Sequence, residues 1–139
     1  MNTNLSEMTH RCPQARNLGP AVLKDHKFTF KQHADIEFCP GSQVEGLLWA
    51  ITENCEMSLD ILEGFPVYYE KTTVKVNSQS LGTVEVMAYQ MTLTHGANRM
   101  AMPSEHYVQC LIEGYEDNDL DTDQIYRALE EFGDYAHEK

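Results

Sequence analysis

At 139 residues and 15.9 kDa the chain has the size of one domain, and 42% apolar with 23% charged residues is the composition of a globular protein, not of a disordered or fibrous one. Ten Lys and Arg against 22 Asp and Glu leave a formal net charge of −12 at pH 7, which repels phosphate backbones and anionic bilayers and argues against nucleic acid or membrane partners. No apolar run approaches the roughly 20 residues that cross a bilayer, and Met1-Asn2-Thr3-Asn4 is not the basic start of a secretory signal. A cytoplasmic setting is therefore expected, and there Cys12, Cys39, Cys55 and Cys110, with no close pair in sequence, read as reduced thiols.

The first 20 residues are broken by Pro13 and Pro20 and predict loop, with a short helix near 4–10. Val22, Phe28 and Phe30 predict a strand over 21–30, and Ile36-Glu37-Phe38 a second extended piece that ends at a Pro40-Gly41-Ser42 turn. The most apolar run, 44–51, is expected to be the central, most buried strand. Ser58 then caps a one-turn helix through Leu62, closed by Glu63 and ended by Gly64, with Pro66 turning the chain outward. Alternating, β-branched segments at 68–76 and 84–93 predict a hairpin. Beyond residue 100 the period becomes helical. Pro103-Ser104 opens a helix carrying Tyr107, Val108, Leu111 and Ile112, which Gly114 ends, and Asp121 or Thr122 caps a last helix with Ile125, Leu129 and Phe132 on one face. Strands first and helices last give an α+β fold: a small, mainly antiparallel sheet or barrel with helices packed outside.

Few residue patterns carry chemistry. His10, His26, His33, His95, His106 and His137 form no HxH or HxxxH pair, so no metal site is expected. Asp119, Asp121, Asp123 and Glu130 fit calcium-loop positions, but Gln124 stands where that loop needs Gly, and the acidic run suits a helix N-terminus instead. No G-x-S-x-G, Walker loop or GxGxxG is present. What remains is Leu59-Asp60-Ile61-Leu62-Glu63-Gly64-Phe65-Pro66 and Tyr69, which puts a carboxylate at a sharp turn on the rim of a sheet. By periodicity alone, the better reading of Glu63 is a solvated helix-end residue.

Arg11-Cys12-Pro13, Leu18-Gly19-Pro20-Ala21, Asp35-Ile36, 40–49 (PGSQVEGLLW), Leu59-Asp60, Glu63-Gly64-Phe65-Pro66, Tyr69, Pro103-Ser104 with Tyr107, Gly114-Tyr115 and Leu120-Asp121, in this order, resemble the gamma-glutamylcyclotransferase-like family. Each piece is weak; the ordered set is specific. The resemblance implies a small mixed β-barrel with outer helices and a reaction that closes a γ-glutamyl group to 5-oxoproline and releases an amine or amino acid. Glu63 resembles the general base of that reaction, a carboxylate whose pKa such a site lifts by burial. Gly64, Tyr69 and Tyr107 match positions at the substrate pocket. The implied partner is a small γ-glutamyl molecule, with no metal or cofactor.

The family usually opens with an apolar strand ending in Tyr-Gly-Ser-Asn, and this sequence starts about where that motif would have ended. The single domain, 1–139, is therefore expected to lack its first strand, to expose a strand edge able to pair with a second copy, and to turn over poorly. Two readings of other classes compete: a non-catalytic module that binds a small metabolite in the same pocket, and an interaction protein whose acidic face meets a basic partner.

Overall fold

The computed structural model of the chain describes residues 3–31, 33–92 and 103–131. Two long antiparallel strands, β1 (Arg16–Lys31) and β2 (His33–Ala50), and the hairpin β3 (Tyr69–Ser78) and β4 (Gly82–Met91) form one sheet in the order β2-β1-β3-β4. Four helices accompany it: α1 (Leu5–Arg11), α2 (Glu53–Glu63), α3 (Glu105–Asp117) and α4 (Asp123–Glu130). The antiparallel α+β plan expected from the sequence is present. Among the described residues, ladder pairing between the two strand pairs is limited to Ala21 with Ser78 and Val22 with Asn77. Bonds from Tyr69, Gln90 and Met91 to Ala34, Ile36 and Asp35 join the pairs again, and a cavity lies between them. No helix among the described residues is long and apolar enough to cross a membrane.

The main core joins Phe28 and Phe30 of β1 and Ile36 and Val44 of β2 to Leu111 and Tyr115 of α3 and Ile125 and Leu129 of α4. Ile125 and Leu129 face inward as their spacing predicts, while Phe132, Leu93, His95 and His137 lie outside the described residues. Thr122 is the N-cap residue of α4, with no side-chain cap bond; Asp121 before it accepts the Asp123 N–H (2.9 Å), and Gln124 is buried against β2, accepting the Glu45 N–H and donating to the Glu45 carbonyl. These two residues of the would-be calcium loop are thus engaged in holding α4.

Several local expectations are corrected. Pro40-Gly41-Ser42 is not a turn between strands but a bulge within β2: the register jumps from Lys24↔Gln43 to His26↔Phe38, and the Gly41 N–H bonds the Asp25 carboxylate (3.0 Å). A bulge lets a strand absorb the residues that otherwise signal a turn. The 44–51 run is not central, because β2 stands at one end of the sheet order and residues 46–50 are half-buried; the longest buried run is Phe28 to Lys31 of β1. Helix α2 starts at Glu53, capped by Thr52, whose hydroxyl accepts the Cys55 N–H, while Ser58 lies within it and donates to the Asn54 carbonyl. Thr and Ser both cap well, and the earlier one wins because Cys55 and Leu59 then face the interior.

Gly114 does not end α3, which continues to Asp117. Its missing side chain makes room for the chain start instead: an added Cβ would sit 2.6 Å from the Thr3 carbonyl carbon and 2.7 Å from the Asn4 nitrogen. Gly114→Ala should therefore destabilise the fold, since overpacking of about 1–3 kcal/mol exceeds the helix-propensity gain of at most about 1 kcal/mol. Urea unfolding measures it; a stabilised variant would show that the Thr3–Asn4 backbone yields.

The cysteine expectation is also overturned. Cys12 and Cys55 form a disulfide, with Cα atoms 5.2 Å apart, while Cys39 and Cys110 are free. Nothing in their spacing reveals this, because packing of Met8 against Leu59 brings the end of α1 to the first turn of α2. Closing so long a loop should contribute about 2–4 kcal/mol. Reductant should lower the unfolding midpoint accordingly, and identical curves with and without it would contradict the bond.

Candidate active site

Glu63 is the last residue of α2, and what fixes it is the end of that helix. Gly64 adopts the left-handed conformation (φ 68°, ψ 39°) in which a side chain is strained. The Phe65 N–H then bonds back to the Asp60 carbonyl (2.9 Å), and the Gly64 carbonyl accepts the N–H groups of Val67 and Tyr68. Such a terminus satisfies the last helix carbonyls and sets the exit direction. Glu63, half-buried, faces a cavity of about 460 Å³ between the two strand pairs. Its polar lining includes Asp35, Glu56, Glu63, Tyr69 and Tyr89, and most of the rest is apolar, Leu23, Val44, Leu48 and Val76 among them.

Of the residues singled out from sequence, Glu63 and Tyr69 line this cavity, whereas Gly64 and Tyr107 are not among its walls. Gly64 acts through the turn. Both tyrosine hydroxyls are bonded to one backbone unit: Tyr69 donates to the Ala34 carbonyl and Tyr107 accepts the Ala34 N–H, each at 2.9 Å. The next residue is equally held. Asp35, 3% exposed, accepts the Met91 N–H through Oδ1 and the Lys31 ammonium through Oδ2, both at 2.9 Å. Elements β1, β3, β4 and α3 therefore converge on Ala34–Asp35, on the wall facing the site.

Burial above all pushes Tyr69 upward from the usual phenol range, with the charges of Tyr107, Glu63 and Asp35 adding to it. Burial also pushes Tyr107 up to about 12, opposed by its bond from Ala34 and reinforced by Glu63. Raised folded-state values favour the neutral hydroxyls, so their contribution to stability is complete below about pH 10, the unfolded value, and is lost as pH rises through the higher folded values. Alkaline titration at 295 nm should thus show these phenols ionising only together with loss of the fold; free ionisation near pH 10 in a folded chain would contradict their burial.

Sequence reasoning missed Asp35, Tyr89 and Lys71. Asp35 was noticed only as part of the resemblance, with no role attached. Tyr89 donates to Asp60 Oδ1, and Lys71 bonds Glu56 and Asp60 on α2. The i,i+4 spacing of Glu56 and Asp60, one turn before Glu63, was the available signal for that cluster.

The sequence pattern of the AIG2-like family matches residues 43–127, more than half of the chain and all of α2 and the Glu63 turn. No curated protein matches the chain. Among solved structures, one described as a gamma-glutamyl cyclotransferase is similar at 26% identity and a TM-score of 0.78, over 91% of this chain and 80% of that one. A human protein described as uncharacterized protein loc79017 is similar at 26% identity and a TM-score of 0.76, over the same shares of the two chains. YkqA of Bacillus subtilis, at 22% identity and a TM-score of 0.72, shares the fold over 89% of this chain and 47% of its own. The chain thus has a gamma-glutamyl cyclotransferase-like fold and belongs to the AIG2-like family.

Proposed function

We infer that this chain is a cyclotransferase that closes γ-glutamyl amines or γ-glutamyl amino acids to 5-oxoproline, with Glu63 as the general base. The observation that carries the reading is the half-buried Glu63 carboxylate, set by a fixed helix terminus on the wall of a cavity in a fold similar to a gamma-glutamyl cyclotransferase. Glu63 takes a proton from the substrate α-ammonium. The freed amine attacks its own γ-carbonyl and the new C–N bond closes a five-membered ring; Glu63 passes its proton to the departing nitrogen as the old γ-amide bond breaks, and the second proton, shed by the ring nitrogen as it becomes the lactam N–H, follows to the same nitrogen, so the amine leaves as an ammonium. Nucleophile and electrophile belong to one molecule, so the enzyme's main task is to hold it folded, and orientation of this kind can supply a large share of the acceleration. Water exclusion by the apolar walls strengthens each charge interaction inside.

Tyr69 and Tyr107 serve by bracing Ala34, and Gly64 by allowing the turn. That bracing also supports a second reading, binding of a small γ-glutamyl metabolite without turnover, because two hydroxyls expected to meet substrate are bonded to backbone. Incubation with γ-glutamyl amino acids and γ-glutamyl amines, followed by quantification of 5-oxoproline, separates the two. Release supports cyclisation; saturable binding without release supports the second reading.

A further inference from the structure

Lys71 reaches from β3 to both sides of the Glu63 turn. Its ammonium donates to Glu56 and to Asp60 Oδ2 (2.9 Å), residues one helical turn apart on α2. It also lies 4.5 Å from the centroid of the Phe65 ring, just beyond Gly64. The helix itself cannot supply this charge. α2 carries Glu53 and Glu56 in its first turn and no basic residue in its last, where the helix dipole and Glu63 both add negative character. Nothing equivalent follows from the helix sequence, since Lys71 arrives from the next strand.

We propose that Lys71 is the positioning residue of Glu63: it pins α2 before the carboxylate and Phe65 after it, and its charge offsets the two acidic neighbours on the same helix. The role rests on the reading of Glu63 as the base. Geometry and electrostatics agree. Asp60 is held below the ordinary carboxylate range by the Tyr89 hydroxyl and then by Lys71, and the hydrogen bonds to Glu56 and Asp60 raise Lys71. The titratable groups that feel Glu63 from other elements are Tyr69 of β3, Tyr89 of β4 and Tyr107 of α3, all pushed upward. From β2, Asp35 faces Tyr69 and is paired with Lys31 of β1. Among the described residues, Lys71 bonds α2 from β3, while from α1 Arg11, paired with Glu7, acts on Tyr107 alongside Glu63. Its side chain is 24% exposed and that of Asp60 23%, so removing it leaves the carboxylates access to water and the fold intact.

The test compares Lys71→Met and Lys71→Arg with the unaltered chain. Loosening the terminus that holds the Glu63 carboxylate should spoil its aim at the reacting atoms more than it spoils substrate binding, so kcat in Lys71→Met should fall about tenfold or more while KM stays within about twofold. Lys71→Arg, which keeps the charge and the reach to both carboxylates, should restore most of the lost kcat. Independently of turnover, hydrogen exchange at the Phe65 amide, which bonds the Asp60 carbonyl, should accelerate about tenfold or more in Lys71→Met as that terminus loosens, with β1 and β2 amides unchanged. An unchanged kcat in Lys71→Met, or exchange that rises equally throughout the fold, would overturn the proposal. Absence of 5-oxoproline from the unaltered chain would instead remove the cyclisation reading, and an unchanged Phe65 exchange rate would then overturn the pinning on its own.

Discussion

Glu63→Gln should leave a folded protein that has lost turnover. The substitution preserves volume and shape but gives a group that cannot take the ammonium proton, and loss of a general base typically costs about 10²–10⁴-fold in rate. Glu63 is only half-buried at a helix end whose geometry depends on Gly64 and the backbone bonds of Phe65, Val67 and Tyr68, so the melting temperature should change by a few degrees at most. Rates of 5-oxoproline formation, measured beside thermal unfolding, decide it. Retained activity in Glu63→Gln would move the base elsewhere, with Asp35 and Glu56 as the other carboxylates on the cavity wall.

Asp35→Ala should produce the largest loss of stability. The Asp35 side chain is 1% exposed and that of its partner Lys31 6%. Burial disfavours the charged form of Lys31, and its hydrogen bonds to Asp35 and Glu37 more than compensate, leaving it raised. Removing Asp35 strands that ammonium with Glu37 alone (3.0 Å) and frees the buried Met91 N–H. Breaking a buried pair from one side costs about 3–5 kcal/mol, which for a domain of this length lowers the melting temperature by roughly 10–15 °C. Because Lys31 keeps one partner, the lower half of that range is expected. Replacing both members by apolar residues in Lys31→Met/Asp35→Leu should recover much of the loss. Near-native stability of Asp35→Ala would show that the pair contributes little.

What the sequence revealed, and what it hid, divides along physical lines. The hairpin of β3 and β4 was legible because both strands alternate and are rich in β-branched residues, and α4 because Ile125 and Leu129 repeat at helical spacing. The Glu63-Gly64 terminus was legible because a glycine at that point has one common use. The bulge at Pro40-Gly41-Ser42 was not: the same residues make a turn or a bulge, and only the pairing of Asp25 with Gly41 decides. Gly114 misled for a similar reason, since a helix glycine serves close approach as readily as termination, and here its neighbour is Thr3, far away in sequence. The Cys12–Cys55 bond and the Ala34–Asp35 junction depend on contacts between distant elements, which local periodicity does not encode. Tyr69 and Tyr107 were noticed as residues, but their hydroxyl partners were not.

The stoichiometry of products tests cyclisation most directly. The protein is incubated with one γ-glutamyl amine, and 5-oxoproline, free amine and glutamate are quantified together over time. Intramolecular attack yields 5-oxoproline and free amine in equal amounts, dependent on the protein and without glutamate. Glutamate in place of 5-oxoproline would mean that water, not the substrate's own amine, attacks the γ-carbonyl, and would contradict the role assigned to Glu63.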